Sequence, residues 1–193
     1  MKVTGVKKIT DYRFLNMFEI FYQDKTGKDR MWQLASRSPE PKCTSGEFES
    51  ADAVVIVPLH LQQQKLVIIK EFRVPLGGYQ YGFPAGLIDE GESMFDSVRR
   101  ELKEETGLQL IDILKTSPPI YSSSGLSDES ISMVYVTCEG AISSEFNTAN
   151  EDITAMFVSA AEAGELCEDE TLKFDVKTWL LLSTFARHGD LGI

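Results

Sequence analysis

Apolar positions along the chain repeat with two periods, and the two predict different elements. Ala53 to Leu59 (AVVIVPL) and Lys65 to Phe72 (KLVIIKEF) are dense apolar runs around a polar loop at Gln62 to Gln64. They predict a pair of strands. Phe14 to Tyr22 is aromatic and β-prone, Asp24 to Lys28 reads as a turn, and Arg30 to Arg37 returns. Pro39 and Pro41 then close that segment, because proline cannot continue regular structure. Gly77-Gly78 marks a loop, Tyr81 to Ala85 a short strand, and Ser132 to Cys138 and Ala155 to Val158 two later strands.

The helical period appears twice. Ser93 to Thr106 carries Met94, Val98 and Leu102, with Phe95 beside them, on one stripe. Ser93 suits the N-cap, Asp96 the first turn, and Gly107 the position just past the end. Thr171 to Arg187 predicts a closing amphipathic helix packed through Leu172, Val176, Trp179, Leu180 and Phe185. Strands around a mid-chain helix, then a final helix, predict an α/β sandwich with a mixed sheet. The strand-rich residues 1–45 are expected to form a small antiparallel β unit, and residues 46–193 the main domain.

Composition narrows the partners. The 193 residues, 42% hydrophobic and 25% charged, are average for a globular chain. Nineteen basic residues against thirty acidic ones give a net charge of −11. That balance argues against nucleic acid and against an anionic membrane surface. Cys43, Cys138 and Cys167 are widely spaced and form no CxxC pair, the first residues contain no apolar leader, and a reducing cytoplasmic setting is expected. With only His60 and His188, both read as structural or solvent-facing, a histidine zinc site is not expected.

The first helix has a second face. Glu101, Glu104 and Glu105 stand at i, i+3 and i+4, so their carboxylates share a patch. Like charges at that spacing cost a helix a few tenths of a kcal/mol each. Hard Mg²⁺ or Mn²⁺ asks for such a set of oxygens, although the same pattern also occurs on plain solvated faces. The surrounding residues decide between the two readings. From Gly86 the chain runs GLIDEGESMFDSVRRELKEETGL. This resembles the Nudix box, in which a glycine, five residues, a glutamate and seven residues precede Arg-Glu-apolar-x-Glu-Glu-x-Gly-apolar. Gly86, Glu92, Arg100, Glu101, Leu102, Glu104, Glu105, Gly107 and Leu108 meet every specified position. Seven of these are fixed identities, each used at roughly one residue in fifteen, so chance gives about 10⁻⁸ per starting position.

The resemblance implies a Nudix α/β/α sandwich and metal-assisted hydrolysis of a diphosphate. Glu101, Glu104, Glu105 and the Ala85 carbonyl are the implied metal ligands. Gly86 is expected to let the chain turn tightly against the helix, and Arg100 to hold Glu92 or Glu101 in place. The flanks, Glu71-Phe-Arg-Val-Pro75, Gly77-Gly-Tyr79 and Phe83-Pro-Ala-Gly-Leu-Ile-Asp89, are similar to the ADP-ribose and ADP-sugar pyrophosphatases. By position, Trp32 would stack on the base with Phe14 as a second aromatic, although both also suit packing within a hairpin. Arg37 and Arg73 would contact the nucleotide, and Gly125, in Ser122 to Glu129, would lie at the substrate. Ser124 stands where members usually carry proline, which leaves the terminal sugar open and keeps guanine-linked nucleotide sugars as an alternative. For the general base the late loop Asn150 to Ile153 offers Glu151, with Glu129 and Glu105 as rivals. A homodimer formed through the N-terminal strands is also implied. A non-catalytic nucleotide sensor would be expected to lack a box glutamate, and all are present here.

Overall fold

The computed structural model describes residues 1–192. In chain order the strands and helices begin with β1 (Lys2–Lys8), β2 (Asn16–Gln23), β3 (Asp29–Ser36) and α1 (Lys42–Ser45). Next come β4 (Ala53–His60), β5 (Lys65–Arg73), β6 (Gly78–Gly82), β7 (Ala85–Leu87), α2 (Met94–Thr106) and β8 (Gln109–Thr116). The chain ends with β9 (Ile120–Tyr121), β10 (Ser130–Glu139), β11 (Ile153–Val158), α3 (Ala160–Glu168) and α4 (Val176–His188). Strands β1, β8 and β9 and helices α1 and α3 are additions to the elements expected from periodicity.

Two compact units divide these elements. The first takes Met1–Asp52 and also Pro118–Ser132, so it is larger than the expected 1–45. Its sheet is antiparallel in the order β1-β2-β3, over a small core of Phe18, Ile20 and Leu34. The β2–β3 turn is fixed by the Asp24 carboxylate, which accepts the Thr26 and Lys28 amides and the Arg30 guanidinium. The later segment belongs here because its polar groups complete this unit. Asp128 accepts the Ser36 hydroxyl at 3.0 Å and the Lys42 amide at 2.9 Å, and the Leu126 carbonyl accepts the Ala35 amide. The buried Lys42 ammonium reaches Asp52 and the Ser130 hydroxyl, both at 2.7 Å.

The second unit, Ala53–Ser117 with Met133 onward, holds the main sheet in the order β11-β5-β4-β10-β8, with β6 on β5 and β7 on β4. Most pairs are antiparallel, but the Asp52 amide meets Ser130 and the Leu61 amide meets Cys138, so β4 and β10 run together. The sheet is mixed, as expected. Alternation assigns the faces: Val54, Ile56, Val67, Val134 and Val136 pack with Val98 and Leu102 of α2. Val57, Leu59 and Leu66 have the opposite parity and share a cavity with Phe185 of α4. Helices therefore cover both faces. No helix among the described residues is long and apolar enough to cross a membrane.

Several local expectations change. The strand expected over Tyr81 to Ala85 is two strands, since Phe83 and Pro84 leave the ladder and the Pro84 carbonyl accepts the Ile56 amide at 2.8 Å. The closing helix begins at Val176, not Thr171. Residues before it are spent on β6, where the Tyr81 amide meets the Lys173 carbonyl, and Asp175 then caps the Lys177 and Thr178 amides. Its inward residues are Thr178, Leu182 and Phe185, whereas Val176, Trp179 and Leu180 are exposed. On α2, Phe95 is likewise exposed and only Met94, Val98 and Leu102 face the core. His60 is buried and bonded to the Gly140 carbonyl, His188 is exposed, and all three cysteines are free.

Candidate active site

The site is built on α2. Ser93 accepts the Asp96 amide at its start, and Gly107, at φ 77°, ends it in the left-handed conformation that glycine adopts without strain. Ser97, Glu101 and Glu105 follow at intervals of four on the buried side, next to Val98 and Leu102. Two glutamates are thereby carried into the protein by the residues that bury the helix: Glu101 is 8% exposed and Glu105 6%. Glu104 lies further out.

Gly86 explains how Glu101 fits. A β-carbon there would overlap the Glu101 carboxylate outright. The glycine sits in β7 and makes no turn; it is needed because the carboxylate occupies the side-chain position. The Ala85 amide beside it donates to Glu105 at 3.0 Å. Arg100 spans the outer part of the site. Its Nε and one terminal nitrogen grip Glu92 at 2.9 and 2.8 Å. Its other nitrogen reaches Glu101 at 2.5 Å and Glu104 at 3.3 Å. Together with the Ser97 hydroxyl, Arg100 holds the Glu92 carboxyl down at about 2. Burial acts oppositely on the other two. It raises Glu101 despite Arg100, and it pushes Glu105 up to about 9 against the opposing Ala85 hydrogen bond.

Two further carboxylates belong to this cluster. Val67, Ile69, Glu71 and Arg73 alternate along β5, and Val67 packs in the α2-side core, so Glu71 faces α2. The charges of Glu71 and Glu151 both raise Glu105, and burial raises Glu71 itself. Glu71 is gripped by Arg73 at 2.9 Å. The sequence motif assigns Glu71 no role; its parity with the core residues Val67 and Ile69 is the available signal. Glu151 precedes β11 in a loop closed on itself, its carboxylate accepting the Thr148 amide at 2.9 Å. Asp152 is anchored by the Phe72 amide on its carbonyl at 3.0 Å and the Tyr79 hydroxyl on its carboxylate at 2.6 Å.

Glu101, Glu104 and Glu105 do not form a ready-made cage. Among the described residues, no three His, Cys, Asp or Glu side chains stand in a metal-ligating arrangement. Each carboxylate takes the nearest donor instead: Arg100 for Glu101 and Glu104, the Ala85 amide for Glu105. The donor set still fits a hard divalent cation. It is all oxygen, two of its carboxylates are buried with raised pKa, and acids outnumber the nearby arginines.

The residues expected to bind the nucleotide fall in both units, and Arg73 is the one that lies in the second. In the first unit Trp32 is 50% exposed and opens onto a cavity of about 360 Å³ lined also by Ile20, Leu34, Phe48, Tyr121 and Ser124. Its indole N–H donates to the Gly125 carbonyl at 3.2 Å. Space beside Gly125 is open. Phe14 precedes β2, lies under the Arg13 guanidinium and does not line the Trp32 cavity. Arg37 is bound to Glu129 at 2.7 Å, so that carboxylate already has a cation as partner and is a poor candidate for the base.

Comparison with known proteins gives the family. The NUDIX domain matches residues 49–180, and the chain belongs to that family, whose hydrolases need a divalent metal. It is 35% identical over 141 residues to an ADP-sugar pyrophosphatase of Mus musculus, covering 72% of this chain and 62% of that protein. It is 30% identical over 142 residues to an ADP-ribose pyrophosphatase of Bacillus subtilis, covering 72% of this chain and 75% of that protein. A crystal structure of an ADP compounds hydrolase superposes with a TM-score of 0.68 at 21% identity, covering 99% and 97% of the two chains. That likeness shows the fold.

Proposed function

We propose that this protein hydrolyses the diphosphate bond of nucleoside diphosphate sugars, with ADP-ribose, split into AMP and ribose 5-phosphate, as its principal substrate. The observation that carries the proposal is the pair of buried carboxylates, Glu101 and Glu105, packed against side-chain-free Gly86 and the Ala85 backbone. Burial raises both carboxyls and makes their charge costly to hold without a partner, so the pair is suited to a bound cation and not to solubility. Both relatives named above act, by name, on ADP-linked compounds.

Glu101, Glu104, Glu105 and the Ala85 carbonyl would hold Mg²⁺ or Mn²⁺, which neutralises the diphosphate and acidifies the attacking water. The chain's own residues do the rest. Arg100 fixes Glu101 and Glu104 through a rigid fork while Glu92 fixes Arg100. Glu151 takes the proton of the attacking water. Arg73 and Arg37 bind the nucleotide, each oriented by a carboxylate, Glu71 and Glu129. Trp32 supplies a flat face for the base at a cavity of suitable size for a small ligand. The N-terminal sheet pairs two copies of the chain. Phe21 and Met31 stand opposite each other in register on its outer side, 40% and 47% exposed. Free thiols suit the reducing cytoplasm.

The test is product analysis with Mg²⁺ on ADP-ribose, ADP-glucose and GDP-mannose, against a Glu104→Gln/Glu105→Gln control. AMP and a sugar phosphate from the ADP compounds, with an inactive control, is the expected result. Faster turnover of GDP-mannose would move the assignment to guanine sugars, and binding without turnover would overturn hydrolysis itself.

A further inference from the structure

The Gly-Gly-Tyr segment before the box has no part in the chemistry above, yet its tyrosine makes one of the short side-chain bonds of the site region. Gly77, at φ 55°, turns the chain out of the Val74–Leu76 3-10 turn and starts β6 antiparallel to β5. Tyr79 is thereby set opposite Phe72, and the two rings meet edge to face. The Tyr79 hydroxyl, carried beyond β5, donates to the Asp152 carboxylate at 2.6 Å. On the same residue, the Asp152 carbonyl takes the Phe72 amide at 3.0 Å. Asp152 is therefore held twice, by main chain from β5 and by side chain from β6, at the last position before β11.

One residue earlier stands Glu151. Its loop is tied to α2 by the Lys103 ammonium over the Phe146 ring and by the Ser143 amide on the Thr106 carbonyl. Near Glu151, Asn147 bonds the Ile153 carbonyl, and Thr148 and Glu151 bond one another. The sheet-side hold on the loop thus passes mainly through Asp152. We propose that Tyr79 is a positioning residue for Glu151, latching Asp152 so that the neighbouring carboxylate is delivered beside Glu71, Glu101 and Glu105. The inference rests on the reading of Glu151 as general base. Tyr79 itself touches no reacting atom. Its phenol is exposed, so nothing in the core depends on the hydroxyl.

The experiment is a double-mutant cycle on ADP-ribose hydrolysis with Mg²⁺, measuring kcat and KM separately. Glu151→Gln alone should lower kcat by ~100-fold or more, the usual contribution of a general base. Tyr79→Phe should lower kcat about tenfold, the worth of one hydrogen bond to a charged group, with KM unchanged. Asp152→Ala should reproduce it. In the Glu151→Gln background, Tyr79→Phe should have no further effect, because the group it positions is gone. An equal drop in both backgrounds, or a change in KM alone, would make Tyr79 merely structural and overturn the proposal. Full activity of Tyr79→Phe beside a crippled Glu151→Gln would overturn it while leaving the base in place. Full activity of Glu151→Gln would remove the base assignment, and the role of Tyr79 with it.

Discussion

The Glu101 carboxylate fills the space that a β-carbon on Gly86 would need. The box glycine is therefore a statement about its neighbour across the fold, and not about backbone freedom. Gly86→Ala must drive Glu101 off its seat against β7, away from Arg100 and from Glu105. Inserting a methyl into packed surroundings costs about 1–3 kcal/mol, and a misplacement of about 1 Å near reacting groups costs ~100-fold. Gly86→Ala should accordingly fold with a modestly lower melting temperature and lose kcat/KM by ~100-fold. Mn²⁺ affinity measured by electron paramagnetic resonance should fall as well. Wild-type Mn²⁺ affinity in this variant would end the case for Glu101 as a ligand.

Glu105 makes the cation site sensitive to pH. Its carboxyl is lifted from the ordinary 4.5 to about 9, chiefly by burial. A raised carboxyl favours the folded state while protonated. Its contribution is complete below about 4.5 and is lost as pH rises through about 9. With EDTA present, this residue should make the protein less stable from pH 5 towards pH 9. A divalent cation requires the ionised form, so cation binding should release roughly one proton at pH 7. Calorimetry in buffers of different ionisation enthalpy measures that release directly. It should vanish in Glu105→Gln. No proton release from the unaltered protein would mean that the cation does not reach Glu105.

Trp32 offers two separable interactions, a ring face at the first unit's cavity and an indole N–H bonded to Gly125. Loss of stacking is worth about 1–3 kcal/mol per base. Trp32→Ala should therefore raise KM for ADP-ribose roughly 5- to 150-fold with little change in kcat. Trp32→Phe keeps one aromatic ring while removing the second ring with its N–H, and should recover part of the loss. Unchanged KM in Trp32→Ala would return this residue to the simpler task of packing the hairpin.

The sheet and α2 were legible because their signals are local. Val54 to Val57 and Leu66 to Ile69 cannot be placed anywhere but a core, and the stripe through Val98 and Leu102 has one period. In α4 the sequence Trp179-Leu-Leu-Leu182 is apolar all round, so periodicity could not choose a face; the sheet and α3 chose Leu182 and Phe185. Its start lies later than its apolar pattern suggests because Lys173 and Asp175 serve β6 and the cap, both long-range or single-residue effects. Helix α3 carried a readable sign, the Ser159–Glu162 capping box, without a strong apolar stripe to support it. In the site, the spacing of Glu101, Glu104 and Glu105 was explicit. The raised pKa of Glu105, the roles of Glu71 and Asp152, and the pairing of Glu129 with Arg37 arise from contacts between distant segments. No window of sequence contains them.

The grouping of residues 118–132 with the N-terminal strands depends on such contacts, and it gives a final test. Lys42 is buried, and its ammonium bonds Asp52 and Ser130, while Asp52 also accepts the Ser130 amide at 2.7 Å. Lys42→Met keeps the apolar stem but leaves the Asp52 charge without its cation. For a fully buried pair that removal costs about 3–5 kcal/mol; Asp52 is partly exposed, so ~1–3 kcal/mol in urea unfolding is expected. Adding Asp52→Asn should restore part of the loss. The amide oxygen can still accept the Ser130 amide, and no unpaired charge remains. If the double variant is as unstable as Lys42→Met alone, the ammonium acts through packing and not through its charge, and the polar tie between α1 and the start of β10 contributes little.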